Sequence, residues 1–230
     1  MNHAITIFKK QIKDTLKNKA IFIQFVMFPI MTLIMNNTIQ FDEIPENFFV
    51  LLFAAMYIGM APLVSISAII SEEKEQNTLR VLLMSNVRPH EYLLGIGSYV
   101  WLFCMLGSGV ICIAGNYSLK ESAYFMLAMA VGIIASLLLG AAIGTFSKTQ
   151  MMATSLSVPI MLLFSFLPML SLFNNTIAKA AKFTYSEQIR LTLAGISDPR
   201  FSGESVCILA ANMLLFSGLF AVAYKKSELA

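Results

Sequence analysis

Six long apolar runs constrain this chain more than any other feature. They lie at roughly Ala20–Met35, Phe48–Ile70, Tyr92–Ala114, Ser122–Phe146, Met151–Phe173 and Ser205–Tyr224. A transmembrane helix needs about 20 predominantly apolar residues, within a range of about 17–25. The first run is short by that measure, and recruiting Asn36 to Ile39 brings it to length. In hydrocarbon every backbone N–H and C=O must be paired inside the protein, so spans of this kind are helices. The expected fold is an all-α integral membrane protein of one domain, 1–230. Its six transmembrane helices are expected at about 20–39, 48–70, 92–114, 122–146, 151–173 and 205–224. Composition agrees: 57% of the 230 residues are hydrophobic and 13% are charged, against about 25% charged in soluble domains.

The first nineteen residues differ in kind. Ile5, Phe8, Ile12 and Leu16 form one stripe, and Lys10, Lys13 and Lys17 share a neighbouring face. That pattern predicts an amphipathic interfacial helix over 1–19 whose lysines reach anionic membrane lipid. An ordinary positive anchor before a span has the same composition. The segment has no apolar core or small-residue cleavage site, so no cleavable signal peptide is expected.

Orientation follows from the basic residues. Eleven Lys and Arg fall on the side of the N-terminus: Lys9, Lys10, Lys13, Lys17, Lys19, Lys74, Arg80, Arg88, Lys148, Lys225 and Lys226. The other five, Lys120, Lys179, Lys182, Arg190 and Arg200, fall opposite. The loop with Asp42, Glu43 and Glu46 has no basic residue. Both termini and the loop 71–91 are therefore expected in the cytoplasm.

That loop carries Glu72, Glu73, Lys74, Glu75, Arg80, Arg88 and Glu91 between two nearly uncharged runs. Glu75-Gln76-Asn77-Thr78 reads as one helix ending and another beginning, with Asn77 in a left-handed turn and Thr78 as N-cap. Leu79, Leu82 and Leu83 then share one face of a short helix. Ser85-Asn86 ends it, and Pro89 suits the first turn of the next helix. The leucine face meets either the membrane surface or a partner. On the opposite side, 174–204 is the longest extramembrane segment. Thr176–Leu193 has helix-forming content, and Gly195, Asp198, Pro199 and Gly203 mark turns.

Within the spans, Gly140 and Gly144 make a GxxxG pair suited to close helix packing, inside one subunit or between two. Gln24 is expected to bond a neighbouring helix. Cys104, Cys112 and Cys207 lie in apolar runs with no metal or CxxC spacing and are expected as buried packing residues.

Several chemistries are excluded. There is no GxxxxGK[ST] phosphate loop. His90-Glu91 is followed by Leu94, not His, so no HExxH zinc site exists. Gly95-Ile-Gly-Ser98 lacks the aspartate of an intramembrane aspartyl protease. No Asp, Glu, Lys or Arg lies deep in a span, where ion-coupled carriers need them. A net charge of +3 with no basic–aromatic pattern gives no reason to expect nucleic acid. Neither metal nor cofactor is expected, and the chain is not expected to be an enzyme.

The run EEKEQNTLRVLLMSNVRPHEYLLG resembles the loop between the second and third spans of type-2 ABC transporter permeases, membrane-spanning subunits of bacterial ABC exporters. The family pattern there is Glu-x-Gly-Thr followed by an apolar Leu-Leu-x-Ser/Thr-Pro segment. Glu75, Thr78, Leu82, Leu83 and Ser85 match, while Asn77 and Asn86 stand in place of Gly and Pro. Gly144-Thr-Phe-Ser-Lys-Thr-Gln150 resembles the family's short loop after the fourth span. The resemblance implies an exporter permease in the bacterial plasma membrane, working with a separate ABC ATPase subunit and a second permease subunit, as homodimer or heterodimer. It makes 71–91 a coupling loop, with Leu79, Leu82 and Leu83 docking on the ATPase and Glu75, Thr78 and Arg80 beside them. It also implies that short helices before the last span dip back into the membrane. The apolar spans suit a drug, a lipid or an amphipathic peptide as substrate, and the resemblance leaves sugar-lipid export and sodium extrusion open as well. A membrane scaffold or immunity-type protein that binds a partner without transport is the alternative.

Overall fold

The computed structural model describes residues 3–17, 19–38, 47–84, 88–196 and 202–226. These form ten helices: α1 (His3–Lys17), α2 (Lys19–Thr38), α3 (Phe48–Glu75), α4 (Thr78–Met84), α5 (Pro89–Ala114), α6 (Leu119–Phe146), α7 (Gln150–Ser171), α8 (Asn175–Ala181), α9 (Tyr185–Ala194) and α10 (Gly203–Lys226). No strand occurs among the described residues. Six helices, α2, α3, α5, α6, α7 and α10, are long and apolar enough to cross a membrane.

The helix ends follow local chemistry. α2 continues through Asn36 to Thr38, and Asn36 Nδ2 donates to the Ala114 carbonyl at the end of α5, 2.8 Å away. α6 starts three residues before the apolar run, because Ser118 and Glu121 form a capping box: Ser118 N–H donates to Glu121 Oε2 at 2.9 Å, and Glu121 N–H donates to Ser118 Oγ at 3.4 Å. α5 begins at Pro89, where the Arg88 N–H donates to the Glu91 carboxylate. Thr149 Oγ1 accepts from the Met152 N–H and caps α7.

α3 is the axis of the bundle. It packs on α2, α5, α6, α7 and α9, and 72% of its spanning segment is buried, against 17% for α10. Its contacts with α6 and α7 are close because glycines sit at the crossings. A Cβ added at Gly140 would lie 2.4 Å from the Leu63 carbonyl oxygen, and one at Gly144 2.9 Å from that of Ser67. The GxxxG pair thus packs inside the subunit. Gly59, which the sequence did not single out, meets the backbone of Phe164 and Ser165 of α7 in the same way. Ser67 and Ser157 hydroxyls pair at 2.7 Å between α3 and α7. Gln24 of α2 accepts from Ser65 of α3 at 3.1 Å. Cys104 and Cys112 are buried, but Cys207 is exposed on α10, contrary to expectation: α10 meets the bundle along one stripe only, containing Ser205, Leu209, Phe216 and Ala223.

At the end of the bundle away from α4, the segment before α10 is two helices, split where Thr184 caps α9. α9 is buried among α3, α6, α7 and α10, with Tyr185, Ile189 and Leu193 fully covered. Ile189 reaches Gly132, halfway along α6, so α9 turns back into the bundle. It carries a buried ion pair: Arg190 Nη2 donates to Glu187 Oε1 at 2.7 Å, and Ser171 Oγ donates to the same oxygen at 3.0 Å. The turn residues Asp198 and Pro199 and the acidic loop residues Asp42, Glu43 and Glu46 lie outside the described residues.

Candidate functional site

The candidate site is the polar junction at the α4 end of the bundle. It begins where the apolar stretch of α3 gives way to Ser71-Glu72-Glu73-Lys74-Glu75 without a break in the helix. The helix stops at Gln76, and Asn77 takes the left-handed conformation, φ 57°. Asn enters that region more readily than other non-glycine residues because its short polar side chain bonds locally. α4 then starts at Thr78 itself. Thr78 is not the expected N-cap: its hydroxyl donates back to the Glu73 carbonyl at 3.0 Å and ties the first turn of α4 to α3.

α4 has two faces, and they differ from the expected leucine face. Leu79 is 2% exposed and belongs to the chain's own core. Leu82 is half-buried against that core. Val81 and Met84, three residues apart, are 61% and 81% exposed. Arg80 and Leu83 lie on α4, but their side chains are outside the described ones, as is the expected helix end at Ser85-Asn86.

Three charges at the end of α3 are engaged within the chain. Glu73 is buried, and its Oε1 accepts from Lys10 Nζ at 2.7 Å and Gln11 Nε2 at 2.8 Å. Tyr92 of α5 is buried beside this carboxylate. Lys74 Nζ donates to the Thr145 carbonyl at the end of α6. Glu75 Oε2 accepts the backbone N–H of Gln150, the first residue of α7, at 2.7 Å. A carboxylate at that place satisfies an orphan donor and meets the positive end of the helix dipole. Glu75 therefore braces α7, although sequence reasoning placed it beside a partner.

α1 is likewise held by protein. Among its described side chains Ile7 and Gln11 are buried, at 4% and 3% exposure, and Phe8 packs edge-on against Tyr99 of α5. Ile5, expected on the apolar stripe, is 53% exposed. Lys10 is committed to Glu73, Lys13 is exposed, and the side chain of Lys17 lies outside the described ones. Sequence reasoning missed Gln11 and the role of Glu73, because polar residues on an amphipathic helix or in a charged run carry no mark of the partner they meet. Among the described residues no group of His, Cys, Asp or Glu is placed to hold a metal.

The junction thus joins a bundle of membrane-length apolar helices to a short helix with an exposed apolar edge. A comparison with protein families matches residues 1–186, from α1 into α9, to the family described as ABC-2 family transporter protein. A search among curated proteins found no match. The family match covers most of the 230 residues, and the chain belongs to the ABC-2 family of transporter proteins as a multi-pass membrane permease.

Proposed function

We propose that this chain is the permease subunit of an ATP-driven ABC exporter, and that a separate ATPase subunit docks on α4. The observation that carries the reading is the two-faced α4: Leu79 anchors it in the core, while Val81 and Met84 stand out at the same end. These 230 residues contain no phosphate loop, and ATP binding is assigned to a separate subunit. Excess basic charge at the α4 end supports a cytoplasmic side for that end and for both termini, and the resemblance to bacterial exporter permeases supports the bacterial plasma membrane.

The pathway is assigned to the interface with a second permease subunit. α7 supports this: Gln150, Thr154 and Ser155 line a groove beside Glu75, and α7 is little covered by its own subunit. The uncharged interiors of the spans suit an apolar or amphipathic cargo such as a drug, a lipid or an amphipathic peptide. Lys13 is left free by α1 packing to meet anionic lipid.

The test is co-purification of the ATPase with Met84→Asp and with the wild type. Met84→Asp puts a charge on the exposed edge, where a docked partner would desolvate it. The variant should insert and melt like the wild type yet lose the ATPase. Retention of the ATPase with full ATP hydrolysis removes α4 as the docking element. Failure of the wild type to bind any ATPase favours the scaffold reading.

A further inference from the structure

Three consecutive side chains at the end of α3 engage three different elements. Glu73 takes Lys10 and Gln11 of α1. Lys74 reaches the Thr145 carbonyl at the end of α6. Glu75 takes the Gln150 N–H at the start of α7. With 3.6 residues per turn, successive side chains point about 100° apart, so three in a row fan around more than half of the helix. Glu72, by contrast, accepts from Gln76 one turn along the same helix.

We propose that Glu73, Lys74 and Glu75 are positioning residues that divide a displacement of α4 between α1 on one side and the α6–α7 hairpin on the other. The proposal rests on the reading that an ATPase docks on α4. The input side of the linkage is short: Thr78 bonds the Glu73 carbonyl, and Leu79 sits in the core beneath it. On the output side the two arms are built differently. The arm to α1 is buried and made by a charge pair with a second donor; the arm to α7 is exposed and made by one carboxylate at a helix start. Beyond that start, α7 follows α3 through the Ser67–Ser157 pair and the Gly59 crossing. A movement passed by Glu75 is therefore delivered to the face that lines the groove of Gln150, Thr154 and Ser155. The two arms are separable, which neither a solvated charge run nor a direct ATPase contact would be.

The experiment is amide hydrogen exchange on the permease–ATPase complex in lipid, nucleotide-free and trapped with ATP and vanadate. Two regions are read: α1 and the first turns of α7. In the wild type both should change on trapping. Glu75→Ala should reduce the nucleotide-dependent change in α7 about twofold or more, as loss of one charge-assisted bond permits, leaving that in α1 intact and the ATPase bound. Glu73→Ala should do the converse; if it fails to fold, Lys10→Ala cuts the same arm from its more exposed end. Thr149→Ala removes the cap on Met152 without touching α3. It should speed exchange in α7 equally in both states and preserve the nucleotide-dependent difference, which separates fraying from lost transmission. Loss of the ATPase from the Glu75→Ala complex, an equal fall in both regions, or no fall in either overturns the proposal. A wild-type permease that binds no ATPase overturns instead the docking reading on which the proposal rests.

Discussion

Gly140 shows how much one missing methyl group can matter here. The α6 backbone comes so close to α3 that a Cβ would sit 2.4 Å from a carbonyl oxygen and 2.6 Å from the Ile66 side chain. A carbonyl in a hydrogen-bonded helix cannot step aside, so the helices must part. Gly218, on exposed α10, has nothing within 4 Å of the same added atom. Gly140→Ala is therefore expected to destabilise by about 1–3 kcal/mol, as overpacked cores do. Gly218→Ala is expected to be neutral or stabilising by up to about 1 kcal/mol, through the less flexible unfolded chain. Thermal unfolding of both variants in one detergent checks the contrast; equal melting temperatures would refute the packing account. Both glycines lie in apolar runs, and only Gly140 belongs to a GxxxG pair; what stands opposite, the α3 backbone or open space, sets the cost.

At the scale of the element, α9 carries the strongest electrostatic commitment. Its sequence has only weak amphipathy, which does not tell a covered helix from an exposed loop, and it lies among four spans with Glu187 and Arg190 largely covered. The pair is tolerable because its oxygens and nitrogens are matched: Arg190 Nε and Nη2 reach the two carboxylate oxygens at 2.9 and 2.7 Å, and Ser171 adds a third bond. Glu187→Gln leaves the guanidinium without its countercharge in a place water hardly reaches. Loss of about 3–5 kcal/mol is expected, the usual cost of breaking a buried pair from one side. The double variant Glu187→Gln/Arg190→Met should recover much of it. Denaturation midpoints of the single and double variants decide; a single variant as stable as the wild type would show that the pair contributes nothing to holding α9.

For the whole molecule, the arrangement of six spans makes a topological prediction. In a background without Cys104, Cys112 and Cys207, a cysteine at Ser118 should react with an impermeant thiol reagent added outside intact cells. One at Gln76 should react only after the membrane is opened. Both positions are exposed at helix ends, so access depends on the side of the membrane alone. The reverse pattern would invert the orientation drawn from the eleven-to-five basic asymmetry. The same scale shows why the candidate site was only partly legible. The left-handed turn at Asn77 and the short helix after it follow from local backbone preference, and both stand in the structure. Leu79 and Leu82 share a face as the spacing predicts, but it turns to the protein's own core, because helical spacing says which residues share a face and not what that face meets. Leu79 met α4's own bundle, and the outward edge fell to Val81 and Met84.

By itself the sequence determined the fold class, the number of membrane-spanning helices and the family. Apolar length and the need to pair every backbone group in hydrocarbon leave a chain like this no other architecture. Loop motifs between spans are local, so Glu75 to Ser85 could be recognised without coordinates. Tertiary structure alone decided the partners: Glu73 with Lys10 and Gln11, Lys74 with Thr145, Glu75 with Gln150, Gly140 with Leu63, and α9 inside the bundle. The side-chain bonds among them join residues 62 to 75 positions apart. A carboxylate or a glycine has the same local pattern whatever stands across from it, and only the packing of the helices brings a particular neighbour within reach.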